Sequence, residues 1–115
     1  MPLEMKEREA GPVTLLAVRG RLTVGEGSEA LEGKLQDLIA SGKRSLLLDC
    51  SQATAIDSHG IKALVRGVTS AEKRGGKLKL LKLTPRVRES LDITRLLTVI
   101  EAFDDEATAL GSFSS

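Results

Sequence analysis

A strand–helix–strand succession in the middle of the chain limits its fold more than any other feature. Leu46 to Cys50 is a short apolar run suited to a buried strand, and Leu78 to Leu83 is another, its leucines interleaved with Lys79 and Lys82. Between them Ser58 to Arg74 reads as a helix, with Ile61, Leu64, Val65 and Val68 on one face and Gly75-Gly76 as its stop. Two strands joined in this way pair in parallel through a right-handed crossover.

The flanking segments extend that pattern. Leu3 to Arg8 and the β-branched, apolar Val13 to Gly20 read as an antiparallel hairpin turning at Gly11-Pro12. A helix follows from about Ser28 to Ser41, with Leu31, Leu35, Leu38 and Ile39 as its apolar stripe and Gly42 as its stop. Pro85 opens a third helix carrying Val87 and Leu91. Leu97 to Ile100 reads as a short strand, and Asp104 to Leu110 as a final helix with acidic residues in its first turn. The order β-β-α-β-α-β-α-β-α predicts an α/β fold with a mixed sheet and packed helices.

At 115 residues, 41% hydrophobic and 29% charged, the chain suits one globular unit, which we place at residues 3–111. A single cysteine, Cys50, rules out an intrachain disulfide and, with only one histidine, leaves too few soft ligands for zinc. No apolar run approaches the roughly 20 residues of a membrane helix, and Met1 to Glu9 lacks a signal-peptide core. The expectation is a cytoplasmic protein without a membrane span. Phe103 and Phe113 are the sole aromatic residues, so no platform for stacking bases exists. Basic residues crowd the stretch from Lys73 to Arg95 against Glu89 and Asp92, but the net charge is only +1. That stretch reads as a solvated face, not a nucleic-acid footprint.

The sharpest local feature is Asp57-Ser58-His59-Gly60, where a buried strand passes into a helix. Two readings of Ser58 stand side by side. Its hydroxyl has the chemistry of a helix N-cap. It also has the placement of a phosphoacceptor, since the helix dipole and free amides tolerate added negative charge there. A hydrolytic triad is excluded, because adjacent residues cannot place one imidazole between their own hydroxyl and carboxylate. Gly25-Glu26-Gly27-Ser28-Glu29-Ala30 matches a dinucleotide fingerprint, with Asp49 further along as a ribose acid. Glu26 and Glu29 would repel a pyrophosphate, so a loop capped by Ser28 is the better reading. Cys50 is a core residue.

The stretch from Leu46 to Phe103 resembles the STAS domain of bacterial anti-sigma factor antagonists. The resemblance lies in the apolar strand, Asp57-Ser58-His59-Gly60, the apolar-spaced helix, Gly75-Gly76 with its strand, and Leu91-Asp92-Ile93-Thr94-Arg95-Leu96-Leu97. It implies a mixed four- or five-stranded sheet with helices mainly on one side. It also implies a partner switch: the unmodified protein binds an anti-sigma factor, a serine kinase, and so frees the sigma factor. The kinase phosphorylates the serine after the motif aspartate, here Ser58, which blocks binding until a metal-dependent serine phosphatase restores it.

Two positions depart from the family pattern. Thr23 replaces a carboxylate after the second strand, and His59 replaces a second serine, placing an imidazole beside the site; when protonated it would stabilise a phosphate. The resulting expectation is a non-enzymatic regulator without cofactors. Asp57 and Gly60 shape the helix start, Gly60 by letting a partner's backbone approach. Thr23, Lys62 and Arg66 are candidate partner contacts, the latter two lying opposite the Ile61/Leu64/Val65/Val68 stripe. The alternative is a scaffold or a cytoplasmic subunit of a transporter or stress complex, without a phosphoswitch.

Overall fold

The computed structural model describes residues 3–114. Strand β1 (Glu4–Ala10) and β2 (Val13–Leu22) precede helix α1 (Glu26–Ala40) and β3 (Ser45–Ile56). Helix α2 (Ser58–Lys73), β4 (Lys77–Leu81) and α3 (Pro85–Ile93) follow. A 3-10 turn (Leu96–Thr98), β5 (Ala102–Phe103) and α4 (Glu106–Gly111) close the order. The five strands form one sheet in the order β1-β2-β3-β4-β5. β1 runs antiparallel to β2, and every later pairing is parallel. The architecture is thus the expected α/β fold with a mixed sheet.

Alternation along the strands sorts side chains between two layers. Leu16, Val18, Leu46, Leu48, Cys50, Leu78 and Leu80 join Leu31, Leu35 and Leu64 of α1 and α2 and Val87 and Leu91 of α3 in the larger core. Val13, Leu15, Leu47 and Leu81 face the other way and are covered by Ala109 of α4, with Phe103, Leu110 and Phe113 beside it. Helices therefore lie mainly on one side, with α4 alone on the other. Lys79 is buried under α4, where its Nζ donates to the Ser112 carbonyl at 3.1 Å and lies 4.6 Å from the Phe113 ring. β1 ties both layers at the surface through Lys34–Glu7 at 2.9 Å toward α1 and Arg8–Glu106 at 2.7 Å toward α4.

Five sequence expectations change. Helix α1 begins at Glu26, so Ser28 is a buried helical residue whose hydroxyl donates to the Gly25 carbonyl, and it is not the cap. The α1 stripe itself, Leu31, Leu35, Leu38 and Ile39, is buried as expected. On α2 the buried face is Gly60, Ala63, Leu64, Gly67 and Ala71. A Cβ on Gly67 would sit 2.9 Å from Leu35 Cδ1 and 3.0 Å from Leu78 Cδ2, so small residues bring α2 close to α1 and the sheet. That rotation leaves Ile61 and Val68 half-buried and Val65 40% exposed.

The predicted strand Leu97 to Ile100 is instead the 3-10 turn, and the last strand is Ala102–Phe103. Leu96 and Ile100 are the buried pair, four residues apart, and the Ile100 amide donates to the Leu96 carbonyl at 3.0 Å. That is helical spacing, not alternation. Strand β3 runs six residues beyond the predicted Cys50, to Ile56, because β2 continues beside it through two register shifts. β4 stops at Leu81, where Lys82 takes a left-handed φ of 54°.

Candidate functional site

The extension of β3 past β4 carries the chain to one corner of the sheet, where the turn after β2 meets the start of α2. Asp57 stands at that corner in extended conformation and closes the first turn of α2. Its Oδ1 accepts from the amides of His59 at 2.9 Å and Gly60 at 3.2 Å, while Oδ2 accepts from the Val24 amide at 2.8 Å. Its own amide donates to the Leu22 carbonyl at 3.3 Å. One carboxylate thus caps a helix and binds the β2–α1 turn to it. Desolvation pulls the Asp57 carboxyl upward, but the amides of Val24, Gly60 and His59, with His59 itself, outweigh it and hold the group below its ordinary value.

The cap is therefore Asp57, and Ser58 is the first helical residue. Both residue types cap well, but only the longer side chain at 57 also reaches Val24. Ser58 is left exposed, and its hydroxyl makes no hydrogen bond among the described residues. Gly60 also differs from expectation. It is buried, and a Cβ there would collide with the Leu22 carbonyl oxygen and lie 2.8 Å from Ile56 Cγ1. The backbone that approaches it is the chain's own. Gly60 holds α2 against β2 and thereby fixes where Ser58 stands.

His59 is exposed, with Nδ1 3.8 Å from Asp57 Oδ2. Its ring turns into an open groove of about 460 Å³ between α1 and α2 that Glu29, Glu32, Lys62 and Arg66 also line. Arg66 is held there by Glu32, at 3.0 Å, whereas Lys62 has no ion pair among the described residues. Thr23 is half-buried in the turn that Asp57 tethers, its carbonyl accepting from the Ser28 amide at 3.0 Å. The fold thus gathers Thr23, Asp57, Ser58, His59 and Lys62 at one corner, with Arg66 a turn further along the groove.

Val24, which the sequence did not single out, completes the surface with Ile61 and Val65, which the sequence assigned to the buried stripe opposite Lys62 and Arg66. Val24 is 62% exposed beside Asp57, and Ile61 and Val65 follow Ser58 at three and seven residues, on its side of α2. The signal was present in Gly60, Ala63, Gly67 and Ala71, whose spacing marks a close-packed face and leaves the larger residues outward. The other motifs serve different ends. A Cβ on Gly27 would collide with the Arg21 carbonyl, so that glycine serves packing and not a pyrophosphate. Asp49 accepts from the Ser51 amide at 2.9 Å, and Ser51 to Ile56 of β3 separate it from the corner. Cys50 is buried, its thiol pushed up to about 12 by desolvation and then by Asp49.

The STAS domain family matches residues 4–109, and the chain belongs to that family. BtrV of Bordetella bronchiseptica, assigned to the anti-sigma factor antagonists, is 26% identical over 88 residues, 76% of each chain. Among solved structures, a Thermotoga maritima protein assigned to the same group superposes with a TM-score of 0.90 at 20% identity, over 96% of this chain and 95% of that one. The Bacillus cell-fate determinant SpoIIAA in its phosphorylated form gives 0.72 at 16% identity, over 95% and 98%. At such identities the structural likenesses speak to the fold alone. Among the described residues no helix is long and apolar enough to cross a membrane.

Proposed function

We propose that this protein is an anti-sigma factor antagonist that acts as a non-enzymatic partner switch, with Ser58 as its phosphoacceptor. In this reading the unmodified form binds an anti-sigma factor that is also a serine kinase, and a metal-dependent serine phosphatase returns the modified form to the active state. The observation that carries the reading is the condition of Ser58: exposed, without a hydrogen bond among the described residues, and fixed in place by the Asp57 cap and by Gly60. Val24, Ile61 and Val65 supply the apolar part of the contact, and Thr23, Lys62 and Arg66 its polar rim.

A phosphoryl group at Ser58 adds about −1.5 to −2 charges to this surface. The amides of His59 and Gly60 are already taken by Asp57, so the phosphate remains outside the helix end, where a partner must desolvate it. Binding is lost while the fold is kept.

Two measurements test this. Incubation with the purified kinase and ATP should place one phosphoryl group on Ser58 and none on Ser58→Ala. Calorimetry against the same anti-sigma factor should show binding by wild type and Ser58→Ala, and binding at least about tenfold weaker by Ser58→Asp. Equal affinities would overturn the switch and favour a scaffold role.

A further inference from the structure

On the reading of Ser58 as phosphoacceptor, we infer that Lys62 is the built-in receptor for the phosphoryl group. Modification then withdraws a cation from the docking surface as well as adding an anion to it. Helix amides are the usual receptor for a phosphate at a helix start. Here Asp57 Oδ1 occupies those of His59 and Gly60, and the Asp57 carbonyl accepts from the Ile61 amide at 2.9 Å. Of the first four amides only that of Ser58 itself is without a partner among the described residues, so a side chain has to supply the rest.

Three basic side chains follow Ser58 on α2. His59 follows Ser58 directly, and residues one apart on a helix do not face each other. Its Nδ1 lies 3.8 Å from Asp57 Oδ2. Arg66 is held by both carboxylate oxygens of Glu32, at 3.0 and 3.3 Å. Lys62 is exposed, without an ion pair among the described residues, and one helical turn beyond Ser58. An anion four residues before a lysine is the more stabilising orientation of such a pair.

The groups that bear on the phosphate's charge are Asp57, His59 and Lys62 on α2 and its cap, with Glu29 and the Glu32–Arg66 pair in the groove that Lys62 lines. The carboxylates oppose the dianion and Lys62 supports it. With Ser58 unmodified, Lys62 is free to meet a carboxylate of the partner; with Ser58 modified, it is engaged within the chain.

The test installs phosphoserine at position 58 during translation, so that its outcome is independent of any kinase. The second pKa of the phosphate, about 6 in the free group, is followed by phosphorus NMR titration at low salt. Lys62→Gln should raise that pKa by about 0.3 relative to the otherwise unchanged phosphoprotein. Lys62→Arg should keep the original value, and Arg66→Gln should leave it unmoved. A Lys62→Gln protein titrating like the parent, or an Arg66→Gln protein shifted equally, overturns the inference. Failure of the kinase to modify Ser58 would instead strike the proposed function and leave this measurement standing.

Discussion

Two aspartates cap helices in this molecule, Asp57 on α2 and Asp105 on α4, and they differ in reach. Asp105 Oδ2 accepts from the Thr108 amide at 2.8 Å and the Thr108 hydroxyl at 2.9 Å, all within its own helix. Asp57 divides its oxygens between its own helix and Val24, 33 residues earlier in the chain. Both carboxyls lie below their ordinary value. At Asp105 the Thr108 hydrogen bonds are the main cause, whereas at Asp57 the hydrogen bonds must first outweigh desolvation. A local cap decides whether a helix starts. A bridging cap also decides where that start stands against the rest of the fold, and a surface read by a partner needs the second.

Gly60 offers the strongest way to break the comparison, because it presses the same corner from beneath. Gly60→Ala drives a methyl group into the Leu22 carbonyl, which is backbone and cannot swing aside. We expect a loss of about 3 kcal/mol or more in urea unfolding. A methyl on Gly33, in the middle of α1, meets nothing within 4 Å, so Gly33→Ala serves as the control and should not destabilise. A loss at Gly60→Ala below about 1 kcal/mol would mean that α2 does not rest on β2 as described.

Removing the caps sharpens the comparison. Asp57→Ala should cost about 1–2 kcal/mol, and amide hydrogen exchange should show lost protection at Val24 as well as at His59 and Gly60. Asp105→Ala should have a smaller effect, confined to the first turn of α4. If Val24 keeps its protection in Asp57→Ala, the bridging role fails and the two caps are alike.

Much of this arrangement was legible in the sequence where periodicity is strong. Leu31, Leu35, Leu38 and Ile39 announced the buried face of α1, the β-branched apolar run announced β2, and leucines interleaved with lysines announced β4. Periodicity misled on α2 because it weights large apolar residues, whereas the packed face is made of Gly60, Ala63, Gly67 and Ala71. It misled again at Leu97 to Ile100, a run of strand-forming residues that the left-handed Arg95 and the bonds from the Thr98 and Val99 amides to the Arg95 and Leu96 carbonyls turn into 3-10 helix. At the site, Ser58 and its surroundings could be located in the sequence, but not which of Asp57 and Ser58 caps the helix. That choice depends on Val24 and Leu22, contacts too distant along the chain for any local pattern to carry.

The acid limb of stability gives the smallest expected effect, and it bears on the same bridge. Asp57 has a folded-state pKa below its unfolded value of about 3.9. Folding therefore favours the ionised carboxylate. The stability it contributes is fully present above about pH 4 and is lost as pH falls through the lower folded value. Asp57→Asn removes the charge but keeps an acceptor, so its stability should fall less steeply than wild type below about pH 4. The side chain is partly exposed, which lets solvent screen its interactions and keeps the difference modest. Parallel acid limbs for wild type and Asp57→Asn would mean that the carboxylate gains nothing from Val24, Gly60 and His59 that a neutral amide does not also gain. The bridge would then rest on hydrogen-bond geometry alone.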